Sequence, residues 1–225
     1  LVDQPQVFQR VGVPLLGLFP LISMFLVTSI TMLRERTTGT LERLLTLPLA
    51  KLDLLLGYGI AFAAFAAVQA TIVSVVGFGL LGLETGHSEL LVVALAVANA
   101  VLGMALGLFL SAFARTEFQA VQFMPAFILP QILLCGLLVA REDMAEWLWW
   151  ISAFLPFTYA YDALARATSP EALGGRFWFD VVVVVGTTLL RLAIVSGIFF
   201  IARTRNGPRR IARRKALASA RRFFI

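Results

Sequence analysis

The residues best suited to chemistry in this chain are few and poorly placed for it. His87, the single histidine, stands in a short polar stretch with no second histidine or cysteine nearby, so it lacks the company a metal site needs. Cys135, the single cysteine, lies in an apolar run and can form neither an intrachain disulfide nor a metal cluster. No glycine is followed by lysine anywhere in the sequence, which excludes a phosphate-cradling Walker loop. Acids gather at Glu142, Asp143 and Glu146, but they flank Trp147, Trp149 and Trp150. That composition reads as an interfacial element with an aromatic belt rather than an acid/base or metal site. The chain itself is therefore read as non-catalytic, and what remain are residues able to grip a partner.

Those residues lie between Arg34 and Lys51, in RERTTGTLERLLTLPLAK, a charged, Thr- and Gly-rich segment wedged between two long apolar runs. Gly39 can serve as a helix N-cap, Glu42 then falls in the first turn where the helix dipole favours an acid, and Pro48 ends the run. Leu41, Leu44 and Leu45 share one face at i, i+3, i+4, while Glu42, Arg43 and Thr46 face elsewhere. This spacing predicts a short amphipathic helix over about 38–48 along a membrane surface. A helix so short is marginal alone, so lipid or a partner must stabilise it. Taken by themselves, these residues fit an ordinary amphipathic connector as well as a docking element.

The elements that must hold the segment are membrane spans. With 60% hydrophobic and 14% charged residues and a mean hydropathy of +0.89, the chain departs from the roughly 45–50% apolar and 25% charged of soluble domains. Runs near the ~20 apolar residues needed to cross a ~30 Å hydrocarbon core fall at 11–33, 54–81, 90–113, 118–139 and 181–202. The expected fold is all-α: a polytopic bundle with five spans in a permease domain over 1–202, followed by a basic cytoplasmic tail over 203–225.

Basic residues near span ends mark the cytoplasmic side. Arg34, Arg36, Arg43 and Lys51 place the 34–51 segment there, and the run from Arg203 to Arg222, free of acids, places the C-terminus there. The segment 82–89 has no Lys or Arg, and 140–180 balances its arginines with acids. The N-terminus then faces outward, and residues 1–10 are too polar to carry it across. A sixth span upstream is the expectation. The net charge of +6 is concentrated in the tail beside a span, where each Lys or Arg gains about 1 kcal/mol from anionic headgroups. The tail is therefore assigned to lipid, and no nucleic-acid partner is expected.

Polar residues inside the runs are sparse. Asn99, Gly103, Gly107 and Ser111 recur at four-residue spacing, a small-residue stripe that lets two helix backbones approach closely. Gln122, Gln131, Pro125 and Pro130 mark the fourth run as one that bends. Arg191 falls near the middle of the last run, where insertion costs about 2.5–3.5 kcal/mol. Gln131, Asn99, Gln69, backbone carbonyls or a neighbouring subunit are candidate partners for it, in a polar pathway that binds an anionic lipid or substrate or in a structural contact. The stretch 144–167, apolar but interrupted by Pro156 and carrying Asp162 and Arg166 on one face at i, i+4, reads as a re-entrant helical hairpin on the outer side, with a surface helix as the alternative.

In order and spacing, RERTTGTLERLLTLPL, Leu106 to Met144 (LGLFLSAFARTEFQAVQFMPAFILPQILLCGLLVAREDM) and Leu155 to Ala167 (LPFTYAYDALARA) resemble the type-2 ABC exporter permeases, particularly their drug-resistance branch. The resemblance covers about residues 11–202. It implies a six-span half-transporter of the bacterial plasma membrane that pairs with a second copy or a related half and docks on nucleotide-binding subunits. ATP and Mg²⁺ would be bound by those subunits, with no cofactor in this chain. Arg34, Glu35, Gly39, Thr40, Leu41, Glu42, Leu44, Leu45 and Pro48 would then form the coupling element, and the cargo would be a hydrophobic or amphipathic molecule moved outward. A secondary transporter and a non-transporting scaffold are the alternatives; the first would require intramembrane carboxylates, and the expected spans contain none.

Overall fold

The structure, a computed structural model, describes residues 4–44 and 51–197, all helical or connecting segments. The helices are α1 (Gln4–Thr37), α2 (Thr40–Leu44), α3 (Lys51–Gly79), α4 (Glu89–Ser111), α5 (Glu117–Leu134), α6 (Glu146–Phe154), α7 (Pro156–Thr168) and α8 (Gly175–Gly197). Within them, Pro14–Thr37, Leu56–Gly79, Glu89–Ser111 and Gly175–Gly197 are long and apolar enough to span a membrane. The remaining expected span, the fourth run, is α5, which is shorter: its 18 residues reach about 27 Å at 1.5 Å per residue.

Two expected boundaries move, each for a local reason. The run expected to continue to Val139 stops at Leu134, because Gly136 adopts φ 102 and turns the chain out of the helix. The last span begins at Gly175 rather than Val181. Asp180, whose charge suggested a loop, is buried inside α8 against Arg166 and Arg176. Arg191 consequently lies closer to the end of the described helix than to its start.

The core is the contact between α1 and α4. A Cβ at Gly103 would collide with the carbonyl of Leu21, and one at Gly107 with Thr28 Oγ1 and the carbonyl of Phe25. Gly17 in turn faces the Asn99 amide. The partners advance together along both helices, so α1 and α4 run parallel, backbone against backbone. Without a hydrophobic drive between helices in lipid, close packing of this kind holds them together. Their spanning windows are 56% and 61% buried, against 17% and 22% for those of α3 and α8, which leaves the latter two as the more exposed members. α3 closes on the pair through Ala66 and Ala70, packed with Met24, Ala96, Ala100 and Met104.

The stretch expected as a hairpin is a helix, a corner and a helix. Leu155 takes extended backbone (φ −89, ψ 120) and Pro156 opens α7, where its missing N–H leaves nothing unsatisfied. Across the corner, Thr158 Oγ1 donates to the Ser152 carbonyl at 2.9 Å and Tyr159 Oη to the Ala153 carbonyl at 2.7 Å. α7 buries Phe157, Ala160, Ala163, Leu164 and Ala167. α6 leaves Trp147, Trp150 and Phe154 exposed.

Candidate functional site

Arg34, Glu35 and Arg36 occupy the last turn of α1, and each reaches a different helix. Arg34 donates from Nε and Nη2 to the two carboxylate oxygens of Glu117, the first residue of α5, at 2.7 and 3.0 Å. The fork of the guanidinium matches the carboxylate, which fixes direction as well as contact. Tyr58 of α3 donates its hydroxyl to Glu35. Arg36 donates to the carbonyl of Ser111, the last residue of α4. That carbonyl belongs to the set a helix end leaves unpaired, and a cation there complements the helix dipole, as Glu117 does at the start of α5. Thr116 caps α5 by accepting from the Gln119 amide at 3.2 Å, while Gln119 Oε1 accepts from the Arg115 amide at 3.0 Å, a near relative of the capping box.

The chain then turns sharply. Thr38 donates both its amide and its hydroxyl to the Arg34 carbonyl, each at 2.8 Å. Gly39 takes φ 77, and its carbonyl accepts from the Arg43 amide at 3.1 Å. One glycine thus ends α1 as a left-handed cap and begins α2. Among the described residues no atom lies within 4 Å of where its Cβ would be, so the backbone angle, with φ 77, is what calls for glycine. α2 itself has 5 residues. Thr40 is exposed and Leu44 half-buried; Leu41 and Glu42 are described by backbone alone; Leu45 and Pro48 lie outside the described residues, as does the tail from 198 onward.

At the opposite end of the bundle an ion-pair cluster joins α7 to its neighbours. Arg141, in a 3-10 turn over Arg141–Asp143, donates Nη1 to Asp162 Oδ2 at 3.1 Å and lies over the Trp149 ring at 5.5 Å. Arg166 and Arg176 approach Asp180 at 3.4 and 3.6 Å, and Asp180 is fully buried. Asp162 and Arg166, which share one face of α7, take their close ion-pair partners from other elements. Burial pushes the Asp162 carboxyl above its ordinary value, with the charge of Arg141 countering in part.

Residues 3–167, α1 through α7, match the ABC-2 type transporter family. The chain belongs to that family. Over 147 residues it is 31% identical to the probable multidrug ABC transporter permease YbhR of Escherichia coli, a stretch covering 64% of this chain and 40% of that protein. Over 138 residues it is 26% identical to ABC transporter G family member 20 of Dictyostelium discoideum, covering 61% of this chain and 19% of that protein. The chain therefore spans less than half the length of the curated relatives it matches. As an ABC-2 type transporter with several membrane-length helices, it is a multi-pass membrane protein.

Within this ABC-2 fold the expected site residues separate into groups. Asn99, Gly103, Gly107 and Ser111 all lie on the α1 side of α4, the last of them through its carbonyl. The four intramembrane polar residues do not converge. Gln69 donates to Ser23 on α1, Gln131 donates to the Phe127 carbonyl at 2.8 Å, Gln122 is exposed, and Arg191 donates to the Thr187 carbonyl at 3.4 Å. Trp147 and Pro156 sit on α6 and at the start of α7. Sequence reasoning passed over Tyr58, Glu117, Arg141, Arg176 and Asp180. Only the Arg176/Asp180 pair carried a local signal, its i, i+4 spacing; the others meet partners far away in the chain.

Proposed function

We propose that this chain is the membrane subunit of an ATP-driven exporter that moves a hydrophobic or amphipathic molecule outward across a bacterial plasma membrane. The observation that carries the reading is the end of α1. There, within the family match, one helix tied to α3, α4 and α5 turns at Gly39 into a short helix at the bundle's end. The segment over 38–48 would dock on a separate nucleotide-binding subunit, which supplies ATP and Mg²⁺, and the chain would pair with a second copy or a related half. The name of the E. coli relative favours drug-like cargo. In this reading α5 is the fifth span of six, α6 and α7 dip into the outer leaflet, and the cytoplasmic tail holds anionic headgroups.

The force comes from the partner, and this chain distributes it. Closure of the nucleotide-binding subunits displaces the docking segment, and α1 passes the movement to the helices it holds. Asp180 is a carboxylate within a candidate span, as a secondary transporter would need, but two arginines already neutralise it near the helix start. Purification from native membranes tests the proposal: a Walker-containing subunit should accompany the chain, with ATP hydrolysis stimulated by an amphipathic dye. Glu42→Arg and Gly39→Pro should abolish export yet leave membrane insertion intact. Absence of any ATPase subunit, or normal export by both variants, would sink it.

A further inference from the structure

Two residues assigned to docking, Arg34 and Glu35, bond to other helices of the chain's own bundle, as Arg36 does, and the helices tied to this turn are bound to α1 in unequal ways. α4 is locked to α1 by backbone contact along a buried stripe. α5 is not: only Ala120, Ile128 and Gln131 of it are buried, and it carries Pro125 and Pro130. At the docking end, α5 is held by the forked Arg34–Glu117 pair, whose side chains remain 63% and 50% exposed. Such a pair sits in water, where it can form and reform without stranding a buried charge. It also stands at the base of the Gly39 turn, with the Arg34 carbonyl accepting from Thr38. A displacement of the docking segment reaches Arg34 through this turn.

We propose that Arg34 and Glu117 are positioning residues that carry movement of the docking segment to α5, making α5, rather than the backbone-locked α4, the helix that shifts relative to α1. The proposal rests on the exporter reading above. It differs from a docking role in one respect: the partner of Arg34 is Glu117 of this chain, not a residue of the nucleotide-binding subunit.

The test is a charge swap in the full complex reconstituted into proteoliposomes, with three readouts: dye transport, ATP hydrolysis and retention of the nucleotide-binding subunit on purification. Arg34→Glu and Glu117→Arg should each lower transport about tenfold with the subunit retained, and the double exchange should return transport to within about threefold of wild type, as expected of directly coupled residues. Arg34→Lys, which keeps the charge but not the fork, should fall between. Arg34→Gln and Glu117→Gln provide gentler variants should the reversed charges impair insertion. Failure of the exchange to rescue, a harmless Glu117→Arg beside a defective Arg34→Glu, or loss of the subunit in Arg34→Glu would each overturn the proposal in favour of direct docking. If the wild type retains no nucleotide-binding subunit, the exporter reading itself fails. If it does retain one while both single variants transport normally, this inference alone fails.

Discussion

Gly103 of α4 lies against the carbonyl of Leu21 of α1 with no room between them for a methyl group. Gly103→Ala should therefore destabilise the protein by about 1–3 kcal/mol, the usual range for overpacking a tight contact. Gly186→Ala on α8, where a Cβ meets nothing, should be neutral or stabilising by up to about 1 kcal/mol, since alanine is the better helix former. Thermal unfolding in detergent compares them, and equal effects would refute the packing argument.

Gly39 is needed for its φ of 77. An L-residue there costs about 1–2 kcal/mol in the left-handed region, with asparagine the least penalised. Gly39→Ala should lower export while insertion and expression hold, and Gly39→Asn should recover part of the loss. An alanine variant exporting at the wild-type rate would show that the turn survives without glycine.

Asp180 has two arginine partners. Removing either by Arg166→Leu or Arg176→Leu leaves the other to balance it and should have a small effect. The double variant strands a buried carboxylate, a loss of about 3–5 kcal/mol, and so should exceed the sum of the single losses. Strict additivity in unfolding measurements would count against shared neutralisation.

Asp162 titrates above its ordinary value because it is buried. In the unfolded chain it ionises near about 3.9, so between that pH and the higher folded value the native state binds more protons. Stability from this group is fullest below the unfolded value and declines as pH rises through the folded one. Measured against Asp162→Asn, the wild type should lose stability across the acidic range as pH increases. A difference that grows in the wild type's favour would reverse the sign and refute it.

Arg191 is half-buried on α8 and donates to the Thr187 carbonyl one turn back, a contact within its own helix. Arg191→Leu should leave dye export unchanged and thermal stability equal or improved. A selective loss of export would instead give Arg191 a place in the transport path.

What was legible in advance followed from periodicity. The stripe at 99, 103, 107 and 111 predicted a close helix contact because its four-residue step is the step of a helix face, and it is indeed the surface of α4 that α1 covers. Gly39 was readable as a helix start; its second role, ending α1, depended on how far α1 continues. The charges misled wherever their partners were remote. Asp180 reads as loop because Arg166 is on another helix, and nothing near Arg34 or Glu35 in the sequence announces Glu117 or Tyr58. Side-chain direction at a helix end is set by tertiary neighbours, and those are what a single sequence leaves out.

The corner at Leu155 has a consequence for where it can reside. Breaking a helix ordinarily frees carbonyls that must find water, which bars such breaks from oily surroundings. Here the hydroxyls of Thr158 and Tyr159 answer the Ser152 and Ala153 oxygens, and proline supplies no amide to be left bare. The bend brings its own substitute for hydration, and could pass from a wet setting to a dry one without unravelling.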